Sequence, residues 1–217
     1  MWKNNPMKDE MGYITQVQLD KLFESARSNL RNYMLISTLA YTGRRISEIV
    51  RGTNGYGIRP KDIDFEMNNI TYRILKKNKR TKAAIDFGLQ KEEPITKSLP
   101  VNPQFLMVLK KFIEAENIQP EAFLFDITRQ RAGQIIRKIG NDAGITMIGS
   151  KKLHPHHFRH TFAVNITRVS MATPEDIKEL QNLLQHSSID MTMEYLRYGH
   201  TRGRELVNEL SFGQSKV

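Results

Sequence analysis

The 217-residue sequence predicts a mainly α-helical fold with one small antiparallel β-sheet, α+β in class. Three observations carry that expectation. Helix-start chemistry recurs along the chain, each time ahead of apolar residues spaced three and four apart. One stretch in the middle switches to two-residue alternation. No internal repeat, low-complexity tract or linker divides the sequence, so the elements are assigned to a single domain.

Residues 1–12 read as a polar lead-in without regular structure. Thr15 then N-caps a first helix, with Gln18 placed to complete a capping box. Its apolar positions Val17, Leu19, Leu22 and Phe23 form one expected buried stripe. A second helix covers 29–40 through Leu30, Met34, Leu35, Ile36 and Leu39, and Gly43 in YTGRR breaks it. A short third helix starts near Ser47. Three glycines between positions 52 and 57 mark a loop. Ile70, Tyr72 and Ile74 alternate with Thr71 and Arg73 as a strand, residues 76–82 form a charged turn, and PITKSLPV (94–101) returns as a second strand. Helices resume over 105–115 and 128–143 and through the histidine-rich segment to Asn165. In TPEDIKELQNLLQH, Thr173 is the N-cap, Pro174 the first helical residue and Asp176 the capping partner, with Ile177, Leu180, Leu183 and Leu184 on the buried face. Ser187 or Ser188 is expected to cap a last helix carrying Tyr195.

Charge and composition narrow the function. Lys and Arg number 33 against 23 Asp and Glu, a formal net charge of +10, which points to a polyanionic partner and foremost to nucleic acid. The absence of cysteine excludes a disulfide framework and a thiolate zinc site. No run of 18 apolar residues is present, so no membrane span is expected. The first twelve residues hold no apolar signal core, and a cytoplasmic location is expected.

Two clusters carry chemistry. Residues 73–82 hold six basic side chains (Arg73, Lys76, Lys77, Lys79, Arg80 and Lys82) and no acid, which suits either a solvated hairpin tip or a finger reaching a phosphate backbone. The segment HPHHFRH (154–160) packs four histidines and Arg159 into seven positions. His156 and His160 have the i, i+4 spacing of metal ligands, but no acid lies between them and Arg159 would repel a cation, so no metal is assigned. Arg159 lies three residues after His156, on the same side of a helix, and a guanidinium beside an imidazole suits a phosphate.

These residues carry a resemblance. TGRRISE (42–48), HHFRHTFA (156–163) and LLQHSSIDMTMEY (183–195) resemble, in order and in internal spacing, the three signature boxes of the tyrosine recombinase, or phage integrase, family. The lysine-tipped hairpin falls between the first and second boxes, where that family places a catalytic lysine. The match spans about residues 13–198 and implies a recombinase catalytic-domain fold. It implies catalytic roles for Arg45, Lys76, His156, Arg159, His186 and Tyr195, with Glu48 bracing the first arginine. Lys77 and Lys79 remain alternatives to Lys76, and Tyr198, one helical turn on, an alternative to Tyr195. Arg73, Lys77, Lys79, Arg80 and Lys82 are expected to contact DNA. Two departures stand out in the boxes: Arg44 occupies a usually apolar place, and Gln185 the usual place of a glycine.

The resemblance implies a site-specific recombinase or integrase that breaks and rejoins double-stranded DNA through a 3′-phosphotyrosyl link. It needs no cofactor, neither metal nor ATP. The alternatives are a non-cleaving DNA-binding module on the same fold and a type IB topoisomerase-like enzyme. A monomer in solution and a tetramer on recombining sites are expected. Family members usually carry a DNA-clamping domain ahead of the catalytic one, for which the residues before the first helix leave no room; this fits an excised fragment or a minimal recombinase. The tail from residue 199 to 217, with Leu206, Val207, Leu210 and Phe212, reads either as a final helix on its own domain or as a segment exchanged between subunits.

Overall fold

The computed structural model describes residues 12–53, 55–74, 94–170, 173–186 and 188–199. Helices α1 (Gln16–Ala26), α2 (Leu30–Thr42) and the short α3 (Ile46–Ile49) lead into a three-stranded antiparallel sheet of β1 (Ile63–Asp64), β2 (Asn69–Ile74) and β3 (Ile95–Pro100). Then come α4 (Pro103–Ala115), α5 (Arg129–Asp142) and a hairpin of β4 (Met147–Ile148) and β5 (Lys151–Lys152). Helices α6 (Pro155–Ser170), α7 (Pro174–Leu184) and α8 (Asp190–Gly199) complete the described fold. The class is the expected one, mainly helical with small antiparallel sheets.

Local chemistry sets the helix starts. Thr15 Oγ1 accepts the Gln18 N–H at 3.3 Å while Gln18 Oε1 accepts the Thr15 N–H at 3.0 Å, closing the capping box. Thr173 and Asp176 do the same for α7. Asn29, Asn102 and Thr128 cap α2, α4 and α5. The stripe of α1 is narrower than expected: Leu19 and Leu22 are buried, but Val17 is 65% exposed. Two residues before Leu19, Val17 lies about 200° round the helix from it. The serine cap of α8 is also displaced. The helix opens at Asp190, and the Ile189 carbonyl accepts the N–H groups of Thr192 and Met193.

Two apolar clusters hold the domain. The larger is built from α1, α2, α4, α5 and the buried face of the sheet, where β2 contributes Ile70 and Tyr72. The smaller joins α6, α7 and α8 through Ala163, Val164, Leu180, Leu184 and the ring of Tyr195, with Phe162 packed against it. Gly43 connects the two. It ends α2 in the left-handed region at φ 59°, and a Cβ there would lie 2.4 Å from Cδ1 of Phe162. Only glycine meets both conditions, so α2 can deliver the next two residues hard against α6.

Register pairs Ile74 with Ile95 and Ile70 with Leu99. Lys76, Lys77, Lys79, Arg80 and Lys82 lie outside the described residues. So do the lead-in up to residue 11 and the tail beyond Gly199. Among the described residues no helix is long and apolar enough to cross a membrane.

Candidate active site

The α2–α3 junction supplies two arginines and their shared acid. Arg44 is 1% exposed; its Nε lies 3.3 Å from Oε2 of Glu48, and its guanidinium stands 5.3 Å from the centre of the Tyr72 ring. Arg45 turns outward, with a side chain 36% exposed, and its Nη1 lies 3.1 Å from Oε1 of the same carboxylate. Glu48 Oε2 also accepts the Arg45 N–H at 3.2 Å, so one buried acid orients both the backbone and the head group of Arg45.

Arg159 reaches this junction from α6. Its Nη1 donates to the Gly43 carbonyl at 2.9 Å and its Nη2 to the Leu184 carbonyl, which also accepts from Nη2 of Arg44 at 3.2 Å. Burial, then Arg45 and Arg44, press its pKa down to about 10, which leaves it protonated at neutral pH. Arg44, Arg45 and Arg159 thus meet around the single carboxylate of Glu48. Three positive charges on one negative one make a site that calls for an anion.

Beyond Leu184 the chain turns sharply. Gln185 sits at φ 54°, and the His186 N–H donates to the Gln181 carbonyl at 3.1 Å, a Schellman closure of α7. His186 is thereby set beside α8, where its Nδ1 is 2.9 Å from Oγ1 of the buried Thr192 and its ring stacks on Tyr195 at 5.7 Å. Burial and then Arg159 hold the His186 pKa at about 4. Tyr195 is 3% exposed, and its hydroxyl lies 2.8 Å from Nδ1 of His160. Burial raises its pKa, with Glu194 adding to the rise and Arg159 and Arg45 opposing it. His156 is exposed on α6, and its N–H donates to Nδ1 of His154. Its pKa is lowered by desolvation first and by Arg159 next.

Comparison with known proteins places the chain in a family. The family model described as the phage integrase family matches residues 12–201. The chain belongs to the phage integrase family. Among its curated relatives, a tyrosine recombinase of Pseudothermotoga lettingae is 26% identical over 91% of this chain and 60% of its own length. The tyrosine recombinase XerC of Staphylococcus aureus is 27% identical over 89% of the chain and 59% of its own. The chain therefore spans about three fifths of the curated relatives it matches. A crystal structure of XerA recombinase superposes with a TM-score of 0.65 at 22% identity, covering 94% of this chain and 66% of that one. A lambda integrase dimer bound to a COC′ core site gives 0.61 at 14%, covering 95% and 51%. These structures share the fold.

Against the phage integrase pattern, the expected site residues fall into three groups. Arg45, Glu48, Arg159, His186 and Tyr195 are brought together, with His156 at the exposed edge of the same helix as Arg159. Lys76 and the basic residues after it fall outside the described part. Arg73, expected to contact DNA, is ion-paired within the fold. Its Nη1 and Nη2 each lie 2.7 Å from the Asp62 carboxylate, and that bond raises its pKa. The pair ties β2 to the turn before β1.

Sequence reasoning missed four contributors: Arg44 as a buried partner of Glu48, Tyr72 beneath it, Thr192 on His186 and His160 on Tyr195. Arg44 carried a signal, since a cation at an apolar place needs a buried counter-charge. The family's glycine before the last histidine has a visible reason too, because Gln185 holds a left-handed backbone that costs a residue with a side chain about 1 kcal/mol. Gln185→Gly should raise stability by roughly that amount, read as a higher urea midpoint at unchanged slope. An unchanged or lower midpoint would show that the Gln185 side chain compensates.

Proposed function

We propose that the chain is the catalytic part of a site-specific DNA recombinase or integrase that cuts and rejoins double-stranded DNA through a 3′-phosphotyrosyl intermediate on Tyr195. The observation that carries this reading is the buried Tyr195, its hydroxyl 2.8 Å from His160 on the helix that also carries Arg159, which with Arg44 and Arg45 outnumbers the nearby carboxylate of Glu48.

The chemistry follows from the groups. Attack on a phosphodiester builds negative charge on its non-bridging oxygens, and preorganised donors there are the largest source of rate. Arg45 and Arg159 supply charged, planar donors. His156 adds a donor at the rim. When the Thr192 hydroxyl donates to Nδ1, the His186 proton sits on Nε2 and can be donated from there. A phenol is only about one part in a thousand ionised at neutral pH, and burial of Tyr195 reduces that further, so attack and proton loss go together. The 5′-oxygen leaves with a proton from Lys76, and the ester link to Tyr195 conserves the bond energy, so rejoining needs no ATP. Arginine charge takes the place of a divalent ion. Lys77, Lys79, Arg80 and Lys82 hold the DNA backbone, and a protein monomeric in the cytoplasm assembles as a tetramer on recombining sites.

The test is a nicked suicide duplex carrying candidate site sequences, incubated with the protein in EDTA and without ATP. A denaturation-resistant protein–DNA adduct is expected. Binding to the same duplexes with no adduct on any of them would favour a non-cleaving DNA-binding module.

A further inference from the structure

Resting on that reading of Tyr195, we infer that His160, and not His156, receives the hydroxyl proton of Tyr195 as its oxygen attacks phosphorus. Among the described residues, the hydrogen bond of that hydroxyl goes to Nδ1 of His160 at 2.8 Å, with the rings 5.7 Å apart and inclined at 41°. This is the reach a general base requires. His156 lies a helical turn away on the exposed face, its ring 6.3 Å from that of His160. The guanidiniums nearby have no lone pair to offer.

The tautomer and basicity of His160 suit the task. A hydroxyl donating to Nδ1 leaves the ring proton on Nε2. Burial is the main cause that keeps His160 neutral, with a pKa of about 4, reinforced by His156, His154, Arg159 and Lys151. His157 and His186 also face it across the cluster. Such a weak base does not ionise a free phenol. It can accept the proton once the oxygen begins to bond to phosphorus, because a phosphate-ester oxygen retains almost no basicity. The arriving phosphodiester anion also favours the imidazolium.

The step balances. The Oη–phosphorus bond forms and the phosphorus–O5′ bond breaks; the Oη proton moves to Nδ1 of His160, and O5′ takes one from Lys76. In rejoining, the 5′-hydroxyl attacks the phosphotyrosine, its proton returns to Lys76, and Tyr195 leaves with the proton held by His160.

Single-turnover adduct formation on the suicide duplex tests this with two variants. His160→Asn keeps an oxygen near the place of Nδ1 that accepts the hydrogen bond but cannot hold a proton. His160→Ala opens a space for a free base. Both are expected to lose about a hundredfold or more in rate, and added imidazole should restore part of the rate of His160→Ala but none to Tyr195→Phe. Should His160→Ala fail to fold, His160→Asn decides alone. A His160→Asn rate within a few-fold of wild type overturns the inference, as does a folded His160→Ala that ignores imidazole. Either result with a normal wild-type adduct leaves the recombinase reading standing, whereas a wild-type protein that makes no adduct takes both down.

Discussion

Arg159→Ala is expected to slow strand cleavage by at least about a hundredfold, the scale for losing one preorganised donor to a developing oxyanion. Its side chain is the meeting point of the three signature segments: α6 carries it, and its two ends bind the Gly43 carbonyl at the close of α2 and the Leu184 carbonyl at the close of α7. Losing those bonds should also lower stability by about 1–3 kcal/mol. Part of that loss is offset, because one of three crowded guanidiniums is gone and Arg44 still reaches Leu184. Arg159→Lys keeps the charge but not the planar fork, so it should recover stability more than rate. Single-turnover cleavage and urea unfolding separate the two effects. Activity of Arg159→Ala within a few-fold of wild type would remove it from the chemistry.

Glu48→Ala should cost about 3–5 kcal/mol of stability, the range for stripping the partner from a buried charge. Arg44 and Glu48 are 1% and 4% exposed, so water cannot replace the carboxylate at Arg44. The same change removes the acceptor of the Arg45 backbone N–H and the brace of its guanidinium. Glu48→Gln keeps an acceptor and the shape but not the charge, so it should fall between the two. Urea midpoints at unchanged slope measure both. A loss under about 1 kcal/mol for Glu48→Ala would mean that Arg44 finds another partner or reaches solvent.

Much of this was legible in the sequence wherever the cause was local. Thr15 with Gln18, Thr173 with Asp176 and Gly43 each act within four residues, and each forms the cap or stop that its chemistry predicts. The three boxes were legible because their residue types and spacings are unusual together. Long-range partnerships left no such trace. His160 and Tyr195 are 35 positions apart, and the carbonyls of Gly43 and Leu184 that hold Arg159 are backbone atoms that any residue carries. Adjacent Arg44 and Arg45 look alike in sequence, yet the fold buries one and leaves the other half-exposed. The partner of Arg73 left no trace for the same reason: in a basic run it reads as one more surface cation, and only the fold brings Asp62 to it. The two-residue strands β1, β4 and β5 are too short for alternation to register.

The most direct measurement is to identify the residue that bears the DNA in the covalent adduct. Trypsin cuts after Arg197 and so separates Tyr195, in the peptide from Glu179 to Arg197, from Tyr198 in the peptide that follows. Nuclease-trimmed adduct digested in this way should carry its nucleotide remnant on the Glu179 peptide at Tyr195, and Tyr195→Phe should bind DNA without forming adduct. A remnant on Tyr198, or adduct that persists in Tyr195→Phe, would contradict the account.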